Sequence, residues 1–322
     1  MKKPLIILTG PTAVGKTKLS ILLAKAVGGE IVSADSMQIY RYMNIGSAKI
    51  KPTEMDGVPH YLIDELDPKE SFHVVRFQEM AQKAMEQIYQ NGNIPILVGG
   101  TGFYLQAILN DIDFDETSSG EDGYRNHLEQ MAAEKGSSYL HSELQKVDQQ
   151  AAGEIHPNNV KRTIRALEFY HQTGKKISEH NREQKARQSP YNFIYFVLND
   201  DRKKLYAQID QRVDRMITEG LLREVAELRE RGYTRGMVSM QGLGYKEILD
   251  YLEGKCTWEE AVYILKRDTR HFAKRQITWF KRESCVDWID KSEFAYDERR
   301  MLEYMVTQCK ERNIYDDNKG TV

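Results

Sequence analysis

The segment Gly10-Pro11-Thr12-Ala13-Val14-Gly15-Lys16-Thr17 constrains this chain more than any other stretch. It matches G-x-x-x-x-G-K-[ST] in full, and both of its flanks read clearly. Before it, Pro4-Leu5-Ile6-Ile7-Leu8-Thr9 is a short apolar, partly β-branched run, the pattern of a buried strand. After it, Lys16 to Val27 carries Leu19, Leu22, Leu23 and Ala26 at helical spacing. Strand, glycine loop and helix together make a polyphosphate cradle. Glycines let the backbone wrap the anion, successive N–H groups and the helix N-terminus face it, Lys16 adds a charge, and the Thr17 hydroxyl suits Mg²⁺. The motif specifies a polyphosphate and leaves open which one.

Strands and helices continue to alternate downstream. Glu30 to Asp35 reads as a second short strand, Val58 to Ile63 as a weaker third, and Ile94 to Val98 as a fourth closing on Gly99-Gly100. Val74 to Tyr89 is an amphipathic helix with Phe77, Met80, Ala81, Ala84, Met85 and Ile88 on one face. This alternation predicts a parallel sheet with right-handed crossovers. After Asn110 the pattern changes. Asp111 to Gly123 is acidic and turn-rich, with Thr117-Ser118-Ser119-Gly120 as an exposed loop, and Tyr124 to about Arg187 reads as helices only. Phe193 to Leu198 is strand-like again and returns to the sheet. The expected class is therefore α/β, a P-loop NTPase-like parallel sheet flanked by helices, with a helical insertion domain. Residues 1–110 and 191–315 make the core with C-terminal helices, residues 111–190 make the insertion, and residues 316–322 form a disordered tail.

With 322 residues, 40% of them hydrophobic, the chain has material for a main domain and a smaller one. Cys256, Cys285 and Cys309 are few and far apart, which excludes a disulfide framework and a cysteine metal site and fits a reducing cytosol. The apolar run Leu5 to Leu8 is too short for an export signal, and no segment is long and apolar enough to span a bilayer. A cytoplasmic protein without a membrane partner is expected. The formal net charge of −2 excludes a uniformly basic nucleic-acid coat, yet the charge is unevenly spread. Lys161 to Arg187 carries eight Lys/Arg against three Glu, and Lys266 to Arg282 carries seven Lys/Arg against Asp268 alone. Two such segments in a slightly acidic chain point to a polyanion partner.

Other candidates lie where the predicted strands end. Asp35 opens Asp35-Ser36-Met37-Gln38-Ile39-Tyr40, and in an open parallel sheet ligands bind beyond the carboxyl ends of the strands. Its carboxylate suits an Mg²⁺ ligand, a general base or a plain cap. Gly99-Gly100-Thr101-Gly102-Phe103-Tyr104 ends the fourth strand, where glycines permit close approach to a ligand and Thr101 offers a hydroxyl; a tight strand-to-helix turn needs the same residues. Arg212, early in a helical run beside Asp214, is suited to stabilise a departing diphosphate, or is a solvated surface charge. At 100° per residue, Arg267, Arg270, Lys274 and Lys281 share one helix face, with Leu265, Phe272, Gln276, Trp279 and Phe280 opposite. That face is a cationic stripe for RNA or a solvated surface.

Taken in order, GPTAVGKT, DSMQIY, GGTGFY, HPNNVKRTIRALE, QRVDRM, QGLGYKE and TRHFAKRQITWF resemble the bacterial type of the tRNA dimethylallyltransferase (tRNA isopentenyltransferase) family. The resemblance runs from Gly10 to Phe280. Departures are Val14 where Ser is common, Gly242-Leu243 where Ala-Ile is usual and His271 where Gln is usual; none removes a group the chemistry needs. The zinc-finger extension of eukaryotic relatives has no counterpart. The resemblance implies dimethylallyl diphosphate as donor and N6 of the adenine at tRNA position 37 as acceptor. It implies that Asp35 accepts the amine proton, with Lys16, Arg212 and Thr101 also catalytic. Gly10, Pro11, Thr12, Ala13, Val14, Gly15, Lys16 and Thr17 would hold the diphosphate, with Mg²⁺ on Thr17. Asp35, Ser36, Met37, Gln38 and Thr101 would hold the adenine. Lys161, Arg162, Thr163, Ile164 and Arg165, then Gln241, Gly242, Leu243, Gly244, Tyr245 and Lys246, would contact the tRNA, as would Arg267, Arg270 and Lys274. The insertion would grip the anticodon stem-loop, and the enzyme would act as a monomer.

Two other readings share the glycine loop. A small-molecule P-loop kinase would hold ATP there, use Asp35 as base and take Asn199-Asp200 as the end of a metal-binding strand. A nucleotide-gated RNA-binding protein would bind tRNA without turnover. The ordered motifs favour prenyl transfer over both.

Overall fold

The computed structural model describes residues 2–113 and 122–316. Its sheet comprises β1 (Lys3–Thr9), β2 (Gly29–Ser33), β3 (His60–Tyr61), β4 (Ile94–Gly99), β5 (Tyr191–Asn199) and β6 (Asp287–Asp290). The strand order is β3-β2-β4-β1-β5-β6, with every neighbouring pair parallel. The central strand β1 has Leu5, Ile6, Ile7 and Leu8 wholly buried. Both faces of the sheet are covered, so the strand reads as a continuous apolar run rather than an alternation. The strand expected over Val58 to Ile63 shrinks to the two residues of β3, at the sheet edge.

Register decides where function can sit. Thr9 is level with Gly99 on one side and Val197 on the other, and Ser33 is level with Val98. The residues that follow β1, β2, β4 and β5 therefore emerge together, at the carboxyl edge of the sheet. Sequence reasoning missed β6, a short segment past the last recognisable motif, which extends the sheet beside β5. On one face, α1 (Lys16–Val27) brings Leu19 and Leu23 into a cluster with Ile6, Leu8, Ile194 and Phe196. Following α2 (Val74–Gln90) and α3 (Gly102–Leu109), the rings of Phe77 and Tyr104 stack with centroids 4.4 Å apart.

The chain divides into two compact units, Met1–Ile108 with Pro190–Val322, and Leu109–Ser189. The smaller unit contains α4 (Asp122–Lys135), α5 (Ser137–Val147), α6 (Gln149–Glu154), α7 (Val160–Thr173) and α8 (Ile177–Ala186). Its own core is built from Leu128, Leu140, Leu144, Ala151, Ala152, Ile164, Ala166 and Leu167. Asp148 is buried there, capping α6 through the Ala151 N–H and accepting from both the N–H and the hydroxyl of Ser178. The loop expected at Thr117 to Gly120 lies outside the described residues, as does the expected tail beyond Asp316.

The larger unit is completed by α9 (Arg202–Thr218), α10 (Leu221–Glu230), α11 (Tyr245–Leu252), α12 (Trp258–Phe280) and α13 (Glu298–Glu311). Met301, Met305 and Cys309 of α13 join the cluster around α1. Between β2 and β3 the chain runs largely without regular structure, and buried charge fixes its course. Glu224 of α10 accepts from the N–H groups of Asn44 (2.8 Å), Ile45 (2.8 Å) and Gly46 (3.0 Å), and from the Tyr245 hydroxyl (2.9 Å). The Tyr245 ring fills the space that a Cβ on Gly46 would need, 2.5 Å from Cζ. Burial beside the Glu224 carboxylate pushes the Tyr245 phenol well above its ordinary range. Lys49, also buried, donates to the Tyr40 carbonyl, Asn44 Oδ1 and Asp64 Oδ1. A buried network of this kind is stable only with its members paired. Glu224→Ala should strand three N–H groups and a phenol, and lower stability to urea by about 2–4 kcal/mol. Tyr245→Phe, which removes one bond of the set, should cost about 1 kcal/mol in the same measurement.

Candidate active site

The glycine loop leaves β1 with Gly10 at φ 147°, where a Cβ would stand 2.3 Å from the Leu198 carbonyl oxygen. Ala13 (φ 65°) and Gly15 (φ 99°) turn the backbone into α1. The left-handed turns form a nest closing on a helix N-terminus, an arrangement that favours an anion. Lys16 Nζ folds back over the loop and donates to the Gly10 and Pro11 carbonyls, each at 2.9 Å. Thr17 is exposed at the helix start. Thr12 differs from the expected pattern. Its N–H does not stand open to an anion but donates to Gln276 Oε1 of α12 at 2.9 Å.

Asp35 lies two residues past β2. Its Oδ1 accepts from the N–H groups of Met37 (2.8 Å) and Gln38 (3.3 Å). No helix follows, so the carboxylate closes a local Asx-type turn rather than capping a helix, and this occupies one carboxylate oxygen. Lys16, Arg212 of α9 and Asp35 lie close enough for their charges to act on one another. Burial, and then the Arg212 charge, lower the Lys16 ammonium to about 7, with Asp35 opposing. Burial lowers Arg212 too, with Asp35 again holding the charged form. Burial raises the Tyr104 phenol, with smaller contributions from Tyr40 and Asp35. The fourth-strand loop joins this group. The Thr101 carbonyl accepts from Tyr104 N (2.9 Å) and opens α3, and the Gly100 carbonyl accepts from Gln276 Nε2 at 3.0 Å. Two cations, a carboxylate and two glycine loops therefore meet at one sheet edge.

The structure sorts the remaining sequence candidates. Met37 packs directly on Gly242, so the Gln241–Lys246 segment supports the Asp35–Gln38 turn. Gln241 is exposed, Gly242, Leu243 and Lys246 are partly exposed, and Gly244 and Tyr245 are buried. Tyr245 is correspondingly a support for the 44–46 loop, not a surface for RNA. On α7, Lys161 and Arg162 are exposed and Arg165 is half-buried, whereas Thr163 and Ile164 are buried in the small unit's core. The helical period turns those two inward, so the expectation that they touch RNA is corrected. On α12, Arg267 pairs with Asp268 and Arg270 with Asp210, each pair drawn from within this unit. Lys274 is exposed. The expected cationic stripe is thus partly neutralised, by Asp268 of the same helix and by Asp210 of α9, which a projection of α12 alone does not include.

Three site features were missed by sequence reasoning. Gln276 stood on the apolar face of its helix, and a lone amide there was a signal, because a buried polar group needs partners. Lys291, directly after β6, donates to the Val14 carbonyl (3.3 Å) and faces Asp200 Oδ2 (3.6 Å). Asp200 itself is buried and taken up: Oδ1 accepts from Asp201 N and the Tyr296 hydroxyl, and Oδ2 from Gln208. In the kinase reading Asn199-Asp200 would end a metal-binding strand, and the carboxylate of Asp200 is already engaged by these partners. The third is Glu224, which fixes the loop downstream of Asp35 from another helix.

A glycine loop at the carboxyl edge of an all-parallel sheet, with lysine, arginine and a carboxylate around it, defines a P-loop α/β protein suited to a phosphorylated ligand. The chain matches the family described as IPP transferase over residues 38–283, and it belongs to that family. It is 58% identical over 312 residues to the tRNA dimethylallyltransferase of Lachnoclostridium phytofermentans, covering 97% of this chain and 99% of that one. To the tRNA dimethylallyltransferase of Acetivibrio thermocellus it is 51% identical over 294 residues, covering 91% and 94%. Among solved structures, the tRNA isopentenylpyrophosphate transferase of Bacillus halodurans is similar at a TM-score of 0.73 and 43% identity, covering 97% and 98%. A eukaryotic dimethylallyltransferase acting on tRNA superposes at a TM-score of 0.83 and 30% identity, covering 97% of this chain and 80% of that one. Among the described residues, no helix is long and apolar enough to cross a membrane.

The lowered Lys16 gives the site a pH signature. An anion in the loop favours the charged ammonium, so the bound state holds the proton to higher pH than the free state at about 7. Pyrophosphate affinity should be full below that value and fall by up to roughly tenfold per pH unit above it, with proton uptake on binding. Calorimetry in buffers of different ionisation enthalpy reads the uptake. Lys16→Ala should bind more weakly and lose this component of the pH dependence.

Proposed function

We propose that the chain transfers the dimethylallyl group of dimethylallyl diphosphate to N6 of the adenine at tRNA position 37, next to the anticodon, and releases pyrophosphate. The observation that carries this reading is the convergence of Asp35, Lys16, Arg212 and the Thr101 loop on the phosphate loop. An exocyclic amine conjugated into a purine is a weak nucleophile and needs both proton removal and a stabilised leaving group. Asp35 Oδ1 is held by two backbone N–H groups, which fixes the carboxylate and leaves Oδ2 to take the amine proton. As the carbon–nitrogen bond forms, the carbon–oxygen bond to the diphosphate breaks and its electrons pass to the leaving oxygen. Lys16, Arg212 and the loop N–H groups then stabilise the added charge.

Thr17 would hold Mg²⁺ jointly with the oxygens of the diphosphate. Among the described residues no cluster of three or more His, Cys, Asp or Glu side chains could hold a metal ion by itself. An exposed hydroxyl beside a phosphate nest fits a hard cation that shares substrate oxygens, and the ion would neutralise charge on the departing pyrophosphate. Ser36, Met37, Gln38 and Thr101 would hold the adenine, turned out of its stack. Lys161, Arg162 and Arg165 of the smaller unit would contact the anticodon stem-loop; in the larger unit, Gln241, Lys246 and Lys274 would contact the tRNA. In this reading the enzyme is a cytoplasmic monomer.

The test is mass spectrometry of nucleosides from unmodified tRNA incubated with Mg²⁺ and either dimethylallyl diphosphate or labelled ATP. A dimethylallyl mass gain on adenosine is expected from the first alone. Label transferred from ATP, without a mass gain from the prenyl donor, would replace this reading by a kinase. Asp35→Asn should slow single-turnover transfer by about 10²- to 10⁴-fold and leave tRNA affinity nearly unchanged.

Replacing Arg267, Arg270 and Lys274 together by Ala should weaken tRNA binding and flatten the plot of log K against log salt. With Arg267 and Arg270 already paired to carboxylates, the slope should change by less than about three, the value for three free cations. An unchanged slope would make the stripe a solvated face.

A further inference from the structure

Gln276 is the one side chain described here that bonds to both glycine loops. It lies on α12, is 6% exposed, and its amide is used at both ends: Oε1 accepts from Thr12 N–H at 2.9 Å, and Nε2 donates to the Gly100 carbonyl at 3.0 Å. The orientation of the amide is fixed by its partners, since a flipped group would set donor against donor and acceptor against acceptor. The next turn of the helix reinforces the link. Trp279 lies against Gly102, with Cδ1 2.2 Å from where a Cβ would stand, and its ring meets Phe103 edge-on. Gly100 leaves room for the bridge, because a Cβ there would stand 2.1 Å from Gln276 Nε2.

We propose that Gln276 is a positioning residue for the transfer, holding the donor's phosphate loop at a fixed distance from the Gly100–Thr101 loop that receives the acceptor base. The inference rests on the prenyl-transfer reading given above. Its physical basis is that the loops carry opposite partners of one displacement. The phosphate loop holds the leaving group, and the Thr101 loop lies beside the nucleophile. The reacting carbon and nitrogen must approach in line to about 3–3.5 Å, and an error near 1 Å costs about 10²-fold in rate. Parallel pairing of β1 with β4 sets the strand ends, but the loops beyond them have left the ladder and need a separate tie. A neutral amide supplies it without adding charge to a site that already holds Lys16, Arg212 and Asp35. Gln276 touches neither reacting atom in this account; it acts through the two backbones.

The experiment uses the full chain with tRNA and dimethylallyl diphosphate at saturation. Gln276→Met keeps length and volume and removes both bonds. Gly100→Ala attacks the same bridge from the other side, by displacing the amide, and reads the bridge on its own should the first variant fold poorly. Each should slow single-turnover transfer by about 10- to 100-fold, while the dissociation constants for pyrophosphate and tRNA stay within about threefold of wild type. The double variant should be scarcely slower than the slower single, because both changes remove one link. Transfer at the wild-type rate by Gln276→Met would overturn the proposal. So would a loss of rate matched by an equal loss of pyrophosphate or tRNA affinity, or effects that multiply in the double variant. A wild-type enzyme without transfer would instead sink the functional reading itself, so the two failures are distinguishable.

Discussion

Everything at the active edge depends on β1 being paired on both sides. Parallel hydrogen bonding to β4 and β5 places Thr9, Gly99 and Val197 at one level. The three segments that follow must then occupy the same small volume. Glycine is what allows it: the turn out of β1 runs against the Leu198 carbonyl, with no room for a side chain at Gly10. The Thr9 hydroxyl adds a bond to the Gly99 carbonyl at 2.6 Å, tying the two strand ends just before their loops diverge.

Charge is then set against this frame. Lys16 and Arg212 repel each other, and both are partly withdrawn from water; the nearby carboxylate of Asp35 offsets part of that cost. The neutral bridge of Gln276 and the paired Lys291–Asp200 couple complete the surroundings without adding net charge. A site biased toward positive potential in this way favours an anionic ligand, whose charge would stabilise the cations that burial disfavours.

Much of this was legible in the residues. The phosphate loop, the parallel α/β arrangement and the positions of Asp35 and Thr101 at strand ends follow from local pattern, because each depends on residues close in sequence. The family's ordered motifs carried Arg212, whose helix gives no such signal alone. The less legible features are long-range pairings. Gln276 meets Thr12 across 264 residues, and Glu224 meets Asn44 across 180. The burial of Thr163 and Ile164 was readable from helical period, yet a motif treated as a block of contacts concealed it. The pairing of Arg270 with Asp210 was not readable, since the carboxylate comes from a different helix.

The Thr12–Gln276 bond has a consequence for how the molecule is made. A ribosome delivers the chain from the N-terminus, so the phosphate loop is synthesised first and finished late. Its strand gains the β5 neighbour only after residue 191 has emerged, its Thr12 amide finds its partner only with α12, and Lys291 follows later still. A nascent chain cannot present a complete substrate loop, and β1, apolar on both faces, must be kept from other strand edges in the meantime. Pairings this distant in sequence also make for slow closure once the chain is released. The unit's stability and its late assembly thus have one origin, a central strand and loop whose partners lie from 90 to 277 residues away.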